Sequence, residues 1–394
     1  MRILFILLVI VIAISSCRKA QVVMTTTIGQ EIPWVDSSNI HPKNVAFRSL
    51  LDKYKRKGLP GISLLINDSK GTWVGAVGKA DISNNIDFVP GTISKAASIT
   101  KLFIGTLVFR MMEDSVNTGI GYKELNKKIA DWLPSNITDK LANGSLVTLG
   151  QCMKHETGIP DLIEEDRFYL AVLNNPNKKW TQEELLEFIY NKPALFAPGD
   201  TAVYSNTNTT LITLVLEKQT GKKHADLLKQ YITTPLGLRN TYYQPHDKLP
   251  PSVAQGYFDL YNNQTIVNVS NLVTGSGNGY GGIFSNLFDL FKFESALLVQ
   301  RTFLKATSMT IMETYGKQDD TNFYGYGIQK SYMNGTDFGI GHKGRDLGYT
   351  ANMFYFPTKG VTHIFFINYG TDADSELKQT FREFVDELIS LTLN

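Results

Sequence analysis

The chain has 394 residues, 39 basic against 37 acidic side chains, 43% hydrophobic and 19% charged residues. This length supports one large domain or two ordinary ones, and the composition excludes a mainly disordered chain. A near-balance of charge leaves no footprint for nucleic acid, and two cysteines, Cys17 and Cys152, exclude a disulfide scaffold or a thiolate zinc site.

Arg2 precedes an unbroken apolar run, Ile3 to Ile14, followed by Ser15-Ser16-Cys17-Arg18-Lys19. As a helix the run would span about 18 Å, short of the roughly 30 Å hydrocarbon core, so it reads as a secretory signal and not a membrane span. Ile14-Ser15-Ser16-Cys17 resembles the bacterial lipobox, in which cleavage leaves the cysteine first and lipid is attached to it. The expected organisation is a signal over residues 1–16, a tether over 17–42 held to the membrane through Cys17, and an exported domain over 43–394. Asn-x-Ser/Thr triplets at Asn136, Asn208, Asn263, Asn268 and Asn334 carry little meaning in a bacterial lipoprotein.

Phe47, Leu50, Leu51 and Tyr54 recur at helical spacing and stop at Gly58. Gly61–Asn67 and Thr72–Val77 are β-type runs around Asp68-Ser69-Lys70-Gly71, a hairpin signal. Thr181-Gln182-Glu183-Glu184 is a capping box that opens a helix over Leu185–Tyr190, and Thr209–Thr220 predicts another closed by Gly221. Five glycines crowd Gly275–Gly282, where backbone must turn sharply or pass close to something. Asn352–Phe356 and Thr362–Asn368 predict a second hairpin, and Leu377, Phe381, Phe384, Val385 and Leu388 a closing helix. The expected fold is α/β (α+β): an antiparallel sheet from about 43–97 and 280–394, flanked by N- and C-terminal helices, with a mostly helical insert over about 98–279.

Ser98-Ile99-Thr100-Lys101 opens a helical stretch over Leu102–Glu113, and three residues along a helix bring lysine and serine to one face. That suits a serine nucleophile losing its proton to a desolvated lysine, with helix N–H groups favouring an oxyanion. Further along come Tyr204-Ser205-Asn206 and His342-Lys343-Gly344. Together these resemble the serine β-lactamase and penicillin-binding superfamily, in the branch of class C β-lactamases, D-alanyl-D-alanine carboxypeptidases and related esterases. Its three signatures, Ser-x-x-Lys, Tyr-x-Asn and Lys/His-x-Gly, occur here in order. The stretches His155-Glu156-Thr157-Gly158-Ile159-Pro160, Pro235-Leu236-Gly237-Leu238 and Gly281-Gly282-Ile283-Phe284-Ser285 are similar to other family segments.

The resemblance implies Ser98 as nucleophile, with Lys101 as proton acceptor or tuning group and Tyr204 as proton shuttle. It implies Asn206 holding Lys101 or a substrate amide, the N–H groups of Ser98 and Arg345 as oxyanion hole, and Gly344 leaving room for substrate. His342 stands where classical β-lactamases have lysine. A neutral histidine would bind a substrate carboxylate more weakly, and strand alternation sends Lys343 to the opposite face. Arg345 could narrow the acyl pocket or read an anion. His155 reads as a structural hydrogen-bonding residue and Cys152 as a small buried hydrophobe. No metal or cofactor is expected.

The implied function is a lipid-anchored serine hydrolase of the bacterial envelope, forming an acyl-enzyme from D-amino-acid peptides or peptidoglycan stem material. A small-acyl esterase or weak β-lactamase is the alternative. A non-catalytic sensor lipoprotein using the same cleft is the rival from another class.

Overall fold

The computed structural model describes residues 38–317, 322–371 and 374–393. Cys17, the signal segment and nearly all of the tether lie outside the described residues. Four of the strands that follow, β1, β2, β8 and β9, are the two sequence-predicted hairpins. The strands are β1 (Gly61–Asp68), β2 (Gly71–Asp81), β3 (Ile86–Asp87), β4 (Gly316–Lys317), β5 (Phe323–Tyr324), β6 (Gln329–Asn334), β7 (Asp337–Asp346), β8 (Tyr349–Phe356) and β9 (Val361–Ile367). They form one antiparallel sheet in the order β3-β2-β1-β9-β8-β7-β6-β5-β4.

The two ends of the chain close this sheet together, since β1 pairs with β9 and places Leu64 opposite Phe365. One face is covered by helix α1 (Asn44–Arg56) and the closing helix, here α4 (Glu376–Leu393). Phe47, Leu50, Leu51 and Tyr54 meet Phe381, Phe384 and Leu388 over Leu64, Ile66 and Phe365. The periodic apolar faces in the sequence are therefore the faces that are buried. The other face, carrying Leu65, Val74, Met353 and Ile364, packs against the helical region.

Two helices at the centre of that region matter for the site: α2 (Thr100–Glu113) and α3 (Asn206–Thr220). Twelve of the fourteen residues of α2 are buried, so it is a core helix with no amphipathic stripe to read. Helix α3 starts at Asn206, three residues earlier than expected, and ends on Gly221 at φ +67°. The capping box at Thr181 and Glu184 forms, but the helix it opens, Gln182–Leu186, is shorter and earlier than the expected Leu185–Tyr190.

Strand β7 has glycines at 339, 341 and 344, which weaken any intrinsic strand signal. Packing holds it instead. A Cβ on Gly339 would lie 3.1 Å from the rings of Phe354 and Phe356, so β8 occupies the space a side chain would need.

Candidate active site

Ser98 sits in a turn of 3-10 helix, Ala97–Ile99, that leads directly into α2. Two features fix its lead-in. Ser94–Lys95 pairs with Ile283–Ser285, and the Ala96 N–H donates to the Ile283 carbonyl at 2.8 Å. Lys95 also forms a buried 2.6 Å ion pair with Asp346 at the end of β7. Ala97 then adopts φ +48°, a left-handed conformation that costs a residue with a Cβ and persists only where its surroundings over-determine it. The serine is thus presented from a strained, braced corner.

Lys101, one helical turn on, is 2% exposed. Its Nζ lies 3.0 Å from Ser98 Oγ, 2.6 Å from Asn206 Oδ1 and 2.9 Å from the Tyr280 carbonyl. Two of these partners are carbonyl oxygens and can only accept; the serine hydroxyl can donate or accept. An ammonium satisfies all three by donating. A neutral amine satisfies the two carbonyls with its two hydrogens and leaves its lone pair toward the serine O–H. The same geometry therefore serves both protonation states, and of these three partners Ser98 is the one that reverses polarity.

The Tyr280 carbonyl is delivered by the glycine-rich loop. Gly279 is at φ +98°, and a Cβ there would lie 2.7 Å from the Thr209 carbonyl of α3, so the loop both turns and passes close. The Tyr280 hydroxyl donates to the Thr274 carbonyl at 2.9 Å, and burial keeps it a neutral phenol.

The Tyr204 ring centroid lies 4.7 Å from Lys101 Nζ, within cation–π range. Its ring also packs 4.7 Å from His155 and 5.5 Å from Tyr324. Ser98, Lys101, Tyr204 and Asn206 are thus brought together from two helices and a loop. His155 is the structural residue expected: its Nδ1 accepts from the Ser205 N–H at 3.2 Å, and burial followed by the Lys101 charge lowers its pKa to about 3. It braces the turn that carries Tyr204. Cys152 packs in the main core, where burial raises its thiol pKa to about 12.

On β7 the parity of the sheet decides what each motif residue does. His342 pairs with Met353, on the face toward the helices; Lys343 pairs with Asn352 and Arg345 with Thr350, and Asn352 pairs with Phe365 on the face toward α1 and α4. His342 is 1% exposed, donates from Nδ1 to the Lys343 carbonyl at 2.6 Å, and is held neutral by burial and the Lys101 charge. It lies 6.3 Å, ring to ring, from Tyr204 and is not on the cavity wall.

Packing accounts for two further residues of this motif. Arg345 lines the cavity, while its guanidinium donates to the Gly344 and Ala351 carbonyls and to Asn352 Oδ1 and lies 4.7 Å over the Phe381 ring. Its side chain follows Lys343 to the far face because they are two apart on a strand. Its N–H points along the same strand edge as that of Lys343, which donates to Gln329 Oε1 at 2.8 Å. Gly344 is required by packing as well. A Cβ there would lie 2.2 Å from the Ala96 carbonyl, so glycine lets β7 press against the segment that carries Ser98.

A cavity of about 860 Å³ opens over these residues. Ser98, Tyr204 and Asn206 line it with the apolar side chains of Phe168, Leu173 and Leu260, and Asp161, Glu164 and Asp166 add acidic groups. Asp161 is the site residue that sequence reasoning missed. It is buried, and its Oδ2 accepts from Asn206 Nδ2 at 2.8 Å. The only signal was its place directly after Gly158-Ile159-Pro160.

The comparisons with known proteins agree with this geometry. The Beta-lactamase family profile matches residues 47–385, and the chain belongs to that family. It is 24% identical over 188 residues to the D-alanyl-D-alanine-carboxypeptidase/endopeptidase AmpH of Escherichia coli (strain K12), covering 48% of this chain and 46% of that one. The match thus spans about half the length of that relative. It is 23% identical to Penicillin-binding protein 4* of Bacillus subtilis (strain 168) over 327 residues, 79% of this chain and 68% of the relative. Among solved structures, the D-amino acid amidase of Ochrobactrum anthropi SV3 superposes with a TM-score of 0.75 at 24% identity, covering 88% of this chain and 97% of that one. The shared fold extends over nearly the whole described domain.

Proposed function

We propose that this member of the Beta-lactamase family is a serine hydrolase that cleaves amide or ester bonds of D-amino-acid peptides through an acyl-enzyme on Ser98. The observation that carries this reading is the position of Lys101 Nζ, 3.0 Å from Ser98 Oγ and held by two acceptors that cannot donate. Lys101 in its neutral form takes the hydroxyl proton as Ser98 Oγ attacks the carbonyl carbon. The resulting oxyanion is received by the N–H groups of Ser98 and Arg345. Tyr204, beside the lysine, passes a proton to the leaving amine or alcohol; water then attacks the ester, its proton following the reverse path, and the free acid leaves. A non-catalytic sensor would have no chemical need for a buried lysine aimed at a cavity-lining serine.

A second reading concerns the leaving side of the substrate. His342 is neutral, and the residues lining the cavity are acidic at Asp161, Glu164, Glu165, Asp166 and Asp346 against two basic ones, Lys343 and Arg345, whose side chains strand parity sends to the far face. This favours substrates lacking a free carboxylate, such as D-aminoacyl amides and esters, over penicillins or D-Ala-D-Ala termini. The relative and the fold neighbour above span both kinds by name. The test is one panel on the wild-type protein: nitrocefin, a D-Ala-D-Ala peptide, D-phenylalanine amide and p-nitrophenyl esters, with intact-mass labelling by a fluorophosphonate. Turnover of amide and ester above nitrocefin is expected. A protein that turns over none of them and takes no label is not a serine hydrolase.

We place the enzyme at the bacterial cell envelope, anchored through Cys17. Cys17→Ser is expected to move the protein from the detergent phase to the aqueous phase in Triton X-114 partitioning of the expressing cells. Retention of the variant in the detergent phase would remove the lipid anchor from the proposal.

A further inference from the structure

We propose that Asp161 is a positioning residue for the acylation step, holding Asn206 so that its carbonyl oxygen, and not its amide nitrogen, faces Lys101. This rests on the Ser98 reading above. The two ends of an asparagine side chain have nearly the same shape, so packing alone does not choose between them. Their polarity does. With Oδ1 toward Lys101 at 2.6 Å and Nδ2 toward Asp161 Oδ2 at 2.8 Å, both contacts join a donor to an acceptor. Turned over, the NH₂ would face an ammonium and the carbonyl a carboxylate, two repulsive contacts in a buried site.

Asp161 is itself fixed. Its Oδ1 accepts from the Ile163 N–H at 3.2 Å, and the carboxylate also takes the main-chain N–H of Asn206. Asn206 is the first residue of α3, a fifteen-residue helix whose N-terminal end favours a negative group. A carboxylate seated there reaches Lys101 through one amide. The Asn206 amide relays the carboxylate to Lys101, whose Nζ lies 3.0 Å from Ser98 Oγ.

The groups acting on Asp161 come from several elements: Lys101 from α2, Asn206 from the start of α3, Tyr280 from the glycine-rich loop and the Ile163 N–H from its own segment, while Tyr204, Glu164 and Asp166 line the same cavity. Burial raises the Asp161 carboxyl to about 6, against the hydrogen bonds of Asn206 and Ile163 and the charge of Lys101. Of the two nearby histidines, His155 has its pKa lowered to about 3 and His342 is held well below the ordinary imidazole value, in both cases first by burial. As pH falls through 6 the carboxyl takes a proton, the acceptor that fixes the orientation of the Asn206 amide weakens, and acylation slows.

The experiment uses the full chain and four variants, D161A, D161N, N206D and D161N/N206D. It follows fluorophosphonate acylation of Ser98 and p-nitrophenyl ester hydrolysis from pH 5 to 8, with the thermal midpoint of each protein. D161A is expected to lose roughly 10- to 100-fold in acylation rate, the scale of a lost charge-assisted hydrogen bond, mostly in kcat and little in KM. D161N should flatten the acidic limb of the profile. The double variant should recover at least about tenfold over N206D, because an aspartate at 206 accepts from Lys101 while the asparagine at 161 donates to its other oxygen. Acylation by D161A within about twofold of wild type overturns the proposal. So does a loss that follows the thermal midpoint, with the acidic limb intact in D161N and no recovery in the double variant. A wild-type protein that takes no label at Ser98 overturns both readings; labelled wild type with indifferent Asp161 variants overturns this one alone.

Discussion

Lys101→Met is expected to slow acylation of Ser98 by about 10²- to 10⁴-fold, the usual contribution of a positioned proton acceptor, while Ser98→Ala leaves no labelled mass at all. Methionine keeps most of the lysine volume in a position that is 2% exposed, so the core around α2 stays filled. What is lost is the amine that donates to Asn206 Oδ1 and the Tyr280 carbonyl and accepts the Ser98 proton. Asn206 Oδ1 and the Tyr280 carbonyl are left without their Nζ partner, which costs stability, while removal of a buried charge offsets part of that cost.

The comparison of the two variants separates chemistry from folding. Ser98→Ala keeps the lysine and loses the hydroxyl; Lys101→Met keeps the hydroxyl and loses its acceptor. Intact-mass kinetics with a fluorophosphonate, alongside circular dichroism for the fold, reads both. Lys101→Met labelled at the wild-type rate would show that the serine is activated by something other than the amine 3.0 Å away.

Much of this site was legible in the sequence because its residues lie in short motifs whose order could be read along the chain. Ser98 and Lys101 needed only helical spacing, and Tyr204 with Asn206 needed only the resemblance. The flanking helices were legible because one apolar face repeats at 3.6 residues. Asp161 was not, because a single aspartate in a loop gains its meaning only from Asn206, forty-five positions away. Helix α2 shows why period fails in the interior: it is buried nearly all round, so its sequence carries no polar face. Strand β7 shows the complementary failure, since glycines that suit close packing erase the strand signal. Parity along that strand correctly sends Lys343 away from His342, and one step further it sends the Arg345 side chain away as well.

The largest stability effect is expected far from the nucleophile, at Glu294, whose helix Leu287–Glu294 is part of the core beneath the sheet. The residue is fully buried, and among the described residues neither carboxyl oxygen has a hydrogen-bond partner of normal geometry. Burial raises its pKa to about 8, opposed only weakly by the Thr362 hydroxyl. Between the ordinary glutamate value and pH 8 the folded protein therefore holds a proton that the unfolded chain has released. Stability falls as pH rises through that window, by about 1.4 kcal/mol per unit, and the full contribution is present only below about pH 4.5. Glu294→Met removes the titrating group and nearly preserves volume. The variant is expected to gain on the order of 4 kcal/mol over wild type at pH 9 and far less at pH 5. Urea unfolding of both proteins at pH 5, 7 and 9 measures the difference directly. Parallel pH dependence in the two would mean that the carboxyl is solvated or paired in solution, and the burial argument for Glu294 would fall.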